Sequence, residues 1–498
     1  MVERRKYETV IGLEVHSQLL TVSKMFCSCM ANYVDALPNT VVCPVCLALP
    51  GTLPVINQRA VEYVVMTGLA LNATIAENTQ FHRKNYSYPD LMKGYQISQY
   101  DEPIAMGGWL TIDVNGEQKN IGITRIHLEE DVAKLHHHQG SQEESHSLVD
   151  VNRSGVPLME TVSEPDIRSP EEARQYLISL RAILQYLGVS TGNMEDGSFR
   201  CDANISVRPL NSSELFTRVE IKNMNSFRSV YRALEYEADR QSKLVEQGGR
   251  VIQETRGWVE ERGVTISQRI KEFAHDYRYF PEPDLPPLSI DRQWVEDIRA
   301  RLPELPEARR NRFISQYGLS SYDADLLTTS NVTAQFFEDC LSAREIEPTG
   351  ITTKAKGMAN WILGDLAGLL NASGTELENS MVTPYGLREF TDLLDAGVLS
   401  GPAAKAVLEE MFKSGKRANV VAEEQGLTQI NDLTFLGAAV EQIIQGNPRA
   451  VQDFLGGKEG AIRFLIGQVM KETRGRANPA TISEILRENL NPQKVDGQ

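Results

Sequence analysis

Phe280-Pro281-Glu282-Pro283-Asp284-Leu285-Pro286-Pro287 holds four prolines in eight residues and divides the chain into two kinds of sequence. Proline fixes φ and removes a backbone donor, so such a run is extended and stiff, unsuited to a helix or a sheet interior. Before it the pattern is mostly strand. Thr9 to His16, Trp109 to Val114, Gly122 to Leu128 and Val156 to Val162 alternate apolar with polar residues and are rich in β-branched side chains, and 199–222 returns to that pattern. Asp113-Val114-Asn115-Gly116-Glu117 reads as a hairpin turn. Two helices interrupt the strands. Ser169 as N-cap, Pro170 at the first helical position and Glu172 as the capping-box partner open one, which carries the stripe Leu177, Leu180, Leu184, Leu187 and stops at Gly188. Ser226 to Gln247 is the other, closed by Gly248-Gly249. After the proline run the spacing predicts helices near 307–317, 355–371, 384–395, 401–414, 435–445, 448–455, 459–473 and 480–489. The expectation is an α+β body followed by an all-α arm that splits again near Ser400-Gly401.

Composition narrows the function. The 498 residues hold 51 Lys and Arg against 67 Asp and Glu, a net charge of −16. That balance argues against coating DNA or an anionic membrane, but permits a local basic face. No run of about 18 apolar residues offers a membrane span, and Met1 to Tyr7 leads into strand-like sequence without a signal-peptide core. A cytoplasmic protein is expected. Residues 401–498 carry 12 Lys and Arg against 12 Asp and Glu, so the first 400 residues carry the whole deficit. Uneven surface charge explains this as simply as a tail that meets an anionic partner.

Four of the six cysteines lie within twenty residues, as Cys27-Ser28-Cys29 and Cys43-Pro44-Val45-Cys46. Two close pairs of soft thiolates suit a tetrahedral zinc site, and four protein ligands leave no open position, so the zinc would be structural; four buried free thiols are the alternative. Gly12-Leu13-Glu14-Val15-His16 places Glu14 and His16 on one face of a strand. The stretch Ile123-Thr124-Arg125-Ile126-His127-Leu128-Glu129-Glu130-Asp131 puts Glu130 at a strand end, and Glu160 stands among apolar neighbours, where an unpaired carboxylate is costly. A divalent cation, favoured as Mg²⁺ by the hard oxygen donors, would remove that cost. Pairing with Arg125 or Arg153 would do so equally well. Phe81 to Asp90 and Met92 to Gln96 interleave cations with aromatics. Lys84 could hold phosphate and Tyr86 or Tyr88 a base or sugar, unless this is a solvated loop. Arg200, Asp202, Asn204 and Ser206 form another polar face, with Arg200 and Asn204 as candidate nucleotide contacts. Cys201 alternates onto the apolar side and Cys340 sits beside Phe336 and Phe337, so both read as core. The polar stretch from His136 to Ser147 is assigned no role. No P-loop, dinucleotide fingerprint or H-E-x-x-H motif is present. Lys471, Arg474 and Arg476 cluster beside Asn478 at a helix boundary, which suits phosphate contacts or a plain solvated helix end.

Taken together, these stretches resemble one family, the B subunits of tRNA-dependent Asp/Glu amidotransferases. The matching segments are Tyr7 to His16, Arg83-Lys84-Asn85-Tyr86, Tyr95 to Gln99, Leu128 to Asp131, Val162 to Ser169, Arg200 to Ser206, Lys222 to Phe227, Asp276 to Asp284, Gly467 to Lys471 and Ala477-Asn478-Pro479. The resemblance implies a cradle domain (1–292), a helical domain (293–400) and a YqeY-like tail (401–498) that touches tRNA through Lys471, Arg474 and Arg476. It implies that ATP phosphorylates the side-chain carboxylate of Glu or Asp misacylated on tRNA(Gln) or tRNA(Asn), and that ammonia then displaces phosphate. The implied partners are a glutaminase A subunit, which supplies the ammonia through a channel, and a small C subunit, in a heterotrimer. By motif, His16, Glu130 and Glu160 would hold Mg²⁺ with Glu14 close by, Lys84 would face phosphate, and Lys93 and Glu130 would stand where ammonia arrives. The other reading of the chain is a non-catalytic, zinc-containing subunit that presents tRNA to a catalytic partner. It leaves the placement of Glu14, His16, Glu130 and Glu160 without a purpose. A Cys201-dependent glutaminase is disfavoured because no amidase-like Ser/Lys set is present.

Overall fold

The computed structural model describes residues 6–138, 146–212, 214–270, 277–345, 350–427, 433–473 and 477–490. The chain is α+β and divides into two compact units, Met1–Pro306 and Glu307–Gln498.

The first unit is built on a ten-stranded sheet. Its centre is Tyr7–Gln18, with Phe199–Pro209 antiparallel on one side and Pro157–Ser163 antiparallel on the other. Beyond Phe199–Pro209 lie Val219–Lys222, then Glu254–Val259, which joins it in parallel, then Val264–Ile270. Beyond Pro157–Ser163 lies Glu117–Glu130, which also pairs with Trp109–Val114 and with the short Ala105–Met106. Strand alternation gives the sheet two unlike faces. Leu13, Val15, Ile126, Leu128, Met159 and Ala203 are buried in one core with Leu177, Leu180 and Leu184 of helix Pro170–Tyr186 and with Val230, Ala233 and Leu234 of helix Phe227–Glu246. Glu14, His16, His127, Glu129, Glu160, Arg200, Asp202 and Asn204 occupy the opposite face.

Local signals act as expected, with one variation. Ser169 Oγ accepts from the Glu172 N–H at 3.1 Å. The Glu172 carboxylate, however, accepts from the Arg168 N–H at 2.9 Å and from Lys119 Nζ at 2.7 Å, instead of capping Ser169 itself. Asn115 and Gly116 take φ of +57° and +85°, as a two-residue turn requires.

The proline run does not float free. Phe280–Pro281 pairs with His82–Asn85, and Leu288–Ser289 pairs with Asn78–Thr79. Glu282, whose side chain is fully buried, accepts both Arg83 Nε (2.8 Å) and Nη2 (2.7 Å), and Leu285 and Ile290 enter the core. Proline is tolerated because these are short edge pairings.

Among the described residues the second unit is all helical. One core runs from Phe313 to Ala422 and continues through Ser400–Gly401, because helix Gly401–Ser414 buries Ala404, Val407, Leu408 and Met411 in it. A separate core, Leu436 to Leu490, is formed by helices Leu433–Gly446, Gly460–Glu472 and Pro479–Asn489. Helices Gln58–Ala70, Arg292–Ala300, Ser321–Thr328 and Ala418–Glu424 are not foreseen by the hydrophobic spacing, and Asn331–Ser342 is foreseen only around Phe336, Phe337 and Cys340.

Candidate active site

The polar sheet face floors a cleft of about 760 Å³. The register Arg200–His16–Glu160–His127 aligns four side chains across adjacent strands. His16 Nε2 lies 3.5 Å from Glu129 Oε1 and 3.5 Å from Glu160 Oε2. Glu160 Oε2 is also 3.2 Å from His127 Nε2. Both Glu129 and Glu160 are buried. Burial pushes the His16 imidazole down, but the Glu160 and Glu129 carboxylates outweigh it and raise the pKa to about 9. Burial likewise pushes Glu160 up, and His127 and His16 outweigh it, holding its carboxyl well below the usual range. The buried carboxylates thus favour a positive charge between them, at His16 and beside it.

One imidazole nitrogen and two carboxylate oxygens, all within 4.8 Å of one another, form a candidate cation site. The donor chemistry fits Mg²⁺ with an unusual imidazole. A further sign of incomplete pairing is His127 Nδ1, which is buried without a hydrogen-bond partner.

Glu130 is the correction. It was expected beside His16 and Glu160, and Glu129 takes that place. Ile126 and Leu128 face the core, so alternation sends Glu130 to their side of the sheet. There its Oε2 accepts from Lys93 Nζ at 2.6 Å and its Oε1 from the Ile97 N–H at 3.0 Å. Lys93 and Glu130 line a second, smaller cavity of about 220 Å³ with Phe26, Cys27, Cys46 and Ile97. Two consecutive carboxylates therefore serve opposite faces of one sheet.

The other expected residues divide. Glu14 lies in the cleft, where burial and then Glu160, Asp202 and Glu220 raise its pKa, and its Oε1 accepts from Asn204 Nδ2 at 2.9 Å. Arg200 Nη2 donates to Asp131 at 2.9 Å. Lys84 enters the cleft with Nζ 5.1 Å from the Tyr277 ring centre and 5.9 Å from that of Tyr86. Burial pulls its pKa down, but the Glu129 carboxylate and its neighbours leave it raised. Tyr88 is more than half exposed and is not part of the cleft wall. Sequence reading missed Glu129, His127, Lys222 and Tyr279; the first two were signalled by their alternation with Ile126 and Leu128. Cys201 is buried in the core, and burial raises its thiol pKa well above the usual value.

Cys27, Cys29, Cys43 and Cys46 converge with all sulfurs within 4.8 Å and could hold a metal. The Cys43 and Cys46 sulfurs are 3.8 Å apart, the edge of a tetrahedron with bonds of about 2.3 Å. A hydrogen bond from Cys27, with the Cys43 N–H and Lys24 assisting against burial, lowers the Cys46 thiol to about 4. Lys471 is exposed in the last turn of Gly460–Glu472, while Arg474 and Arg476 lie outside the described residues. Among those residues no helix is long and apolar enough to cross a membrane.

Comparison with known proteins agrees with this organisation. Residues 9–296 match the GatB/GatE catalytic domain and residues 345–490 match the GatB domain that follows it. The chain is 55% identical to the B subunit of the aspartyl/glutamyl-tRNA(Asn/Gln) amidotransferase of Dehalococcoides mccartyi over 97% of its own length and 99% of the relative's. It is 54% identical to the corresponding proteins of Carboxydothermus hydrogenoformans (98% and 99%) and Moorella thermoacetica (97% and 100%). With both domains matched and near-complete coverage on each side, this chain belongs to the GatB/GatE family of amidotransferase B subunits.

Proposed function

We propose that this chain is the kinase and transamidase subunit of a glutamine-dependent amidotransferase. It transfers the γ-phosphoryl group of ATP to the side-chain carboxylate of Glu or Asp misacylated on tRNA(Gln) or tRNA(Asn), and ammonia then displaces phosphate to give Gln-tRNA(Gln) or Asn-tRNA(Asn). Ammonia would come from a glutaminase A subunit, with a small C subunit completing a cytoplasmic heterotrimer. The observation that carries this reading is the convergence of His16, Glu129 and Glu160 beside Lys84 in one cleft.

The chemistry explains the placement. A carboxylate is a poor acylating agent until its oxygen becomes a good leaving group, which phosphorylation achieves. Catalysis then consists of positioning and charge neutralisation. His16, Glu129 and Glu160 would hold Mg²⁺, which when bound neutralises phosphoryl-oxygen charge. Lys84 presents its ammonium to the phosphates. Glu14, Arg200 and Asn204 orient nucleotide and acceptor along the same face, with Tyr86 against the base or sugar. On the far side, Glu130 accepts a proton from arriving ammonium, and Lys93 holds that carboxylate in place. The four cysteines hold a structural zinc. The β-rich unit carries the chemistry, the helices around the core from Phe313 to Ala422 form the arm, and the helices around the core from Leu436 to Leu490 carry the tail that holds tRNA through Lys471, Arg474 and Arg476.

The test is transfer of label from [γ-³²P]ATP to Glu-tRNA(Gln) by the assembled complex without glutamine. A labelled, acid-labile aminoacyl-tRNA is expected, and none is expected from His16→Ala. Normal labelling by that variant would refute the site.

A further inference from the structure

Two tyrosines in the cleft wall play no part in the scheme above. Tyr100 follows strand Tyr95–Ser98, and Tyr279 lies in the stretch bound to His82–Asn85. Their rings stack face to face, with centroids 4.2 Å apart and planes within 5°. Tyr279 is also braced edge-on by Tyr277 at 6.0 Å. The backbone carries the brace: the Asn85 N–H donates to the Tyr277 carbonyl at 2.9 Å, and Asn85 Nδ2 donates to the Arg278 carbonyl at 2.8 Å. Both rings line the cleft, yet Tyr100 remains 47% exposed although one face is covered by Tyr279. Here a pre-stacked ring keeps open surface inside a polar cleft.

The surroundings indicate what would cover it. Lys84, the proposed phosphate contact, lies against Tyr277, the ring that braces Tyr279. A cation and an open aromatic face linked through one braced wall suit a flat π-system carrying phosphate. We propose that Tyr100, backed by Tyr279, is a stacking platform for adenine. This rests on the function proposed above, whose reaction brings two adenines to the cleft: that of ATP and that of the 3′-terminal adenosine bearing the misacylated residue.

The experiment uses the full-length chain in its assembled complex and measures binding, not turnover. Equilibrium dialysis with radiolabelled ADP forms one arm. The other is filter binding of Glu-tRNA(Gln)-type tRNA, intact and lacking its terminal adenosine. Tyr100→Ala is expected to weaken one arm by roughly 10-fold or more, while Tyr100→Phe keeps wild-type binding because the ring does the work. Loss confined to ADP identifies the ATP base. Loss confined to intact tRNA, and absent with the trimmed tRNA, identifies the terminal adenosine. A check within the wild-type complex is competition by UDP against ADP. If ADP is the ligand, its preference over UDP should collapse in Tyr100→Ala. Wild-type affinity of Tyr100→Ala in both arms overturns the platform while leaving the functional reading intact. A wild-type complex that binds neither ADP nor tRNA overturns both.

Discussion

Glu129 and Glu130 are neighbours in sequence, and the pleat of one strand gives them different work. Glu129 joins His16 and Glu160, while Glu130 meets Lys93 on the other side. The account predicts that His16→Ala and Glu160→Ala each lower phosphorylation of Glu-tRNA(Gln) by about 100-fold or more, as loss of a preorganised charge contact does; quench-flow counting of the labelled intermediate checks it. Substitution of Lys93 by Met should spare that step and slow the ammonia-dependent one, read as accumulation of the phosphorylated intermediate when glutamine is present. Much of this site was legible from residues alone. Glu14 and His16 share a face because they are two apart, and Glu160 is costly among apolar neighbours. The expectation of Glu130 at the metal follows the acidic run and overlooks Ile126 and Leu128, which already mark the buried face.

At the scale of elements, the cysteine loop is held by its converging sulfurs together with hydrogen bonds to residues 149–152: Asn39 Nδ2 donates to the Val149 carbonyl at 3.0 Å, the Val41 N–H to Asn152 Oδ1 at 2.8 Å and Asn152 Nδ2 to the Leu37 carbonyl at 2.8 Å. Val22, Val34, Leu37 and Val55 are exposed, and only a few loop side chains, such as Met25 and Phe26, are buried. Changing Cys43 and Cys46 together to Ala should remove about one zinc per chain by elemental analysis and open the loop to protease. A second clasp joins helices Pro306–Tyr317 and Asn331–Ser342. The Glu338 carboxylate accepts from Arg309 Nη2 at 2.6 Å, Arg312 Nη1 at 2.6 Å and Tyr317 Oη at 3.1 Å. Burial raises the Glu338 pKa, but Arg312 and Arg309 outweigh it and hold it below the ordinary 4.5. Its stabilisation is therefore complete above the unfolded glutamate value and is lost as pH falls through the lower folded one. Glu338→Gln should cost about 1–3 kcal/mol at pH 7 and less at pH 4, measured from urea midpoints. Helices with strong caps, such as those beginning after Ser169 and Ser226, are readable from sequence. The docking of the proline run is not, because Glu282 meets Arg83 from about 200 positions away.

At the scale of the molecule, an acidic chain that handles tRNA must concentrate its cations, and the tail is neutral while the rest carries −16. Replacing Lys471, Arg474 and Arg476 by Gln should weaken tRNA binding and reduce the slope of log K against log salt by about 2–3, leaving zinc content unchanged. Filter binding across a salt series reads this directly. The division into a β-rich body and a helical arm follows from periodicity and the proline run, whereas the continuity of one helical core through 400–401 depends on side-chain packing that no local pattern reports. The central claim is that one sheet face phosphorylates the carboxylate while the opposite face receives ammonia. Its most direct measurement is ³²P transfer from ATP to Glu-tRNA(Gln) without glutamine, comparing Glu129→Ala with Glu130→Ala in the assembled complex. The account predicts labelled aminoacyl-tRNA from the Glu130 variant and none from the Glu129 variant; equal labelling by both, or loss in the Glu130 variant alone, would contradict it.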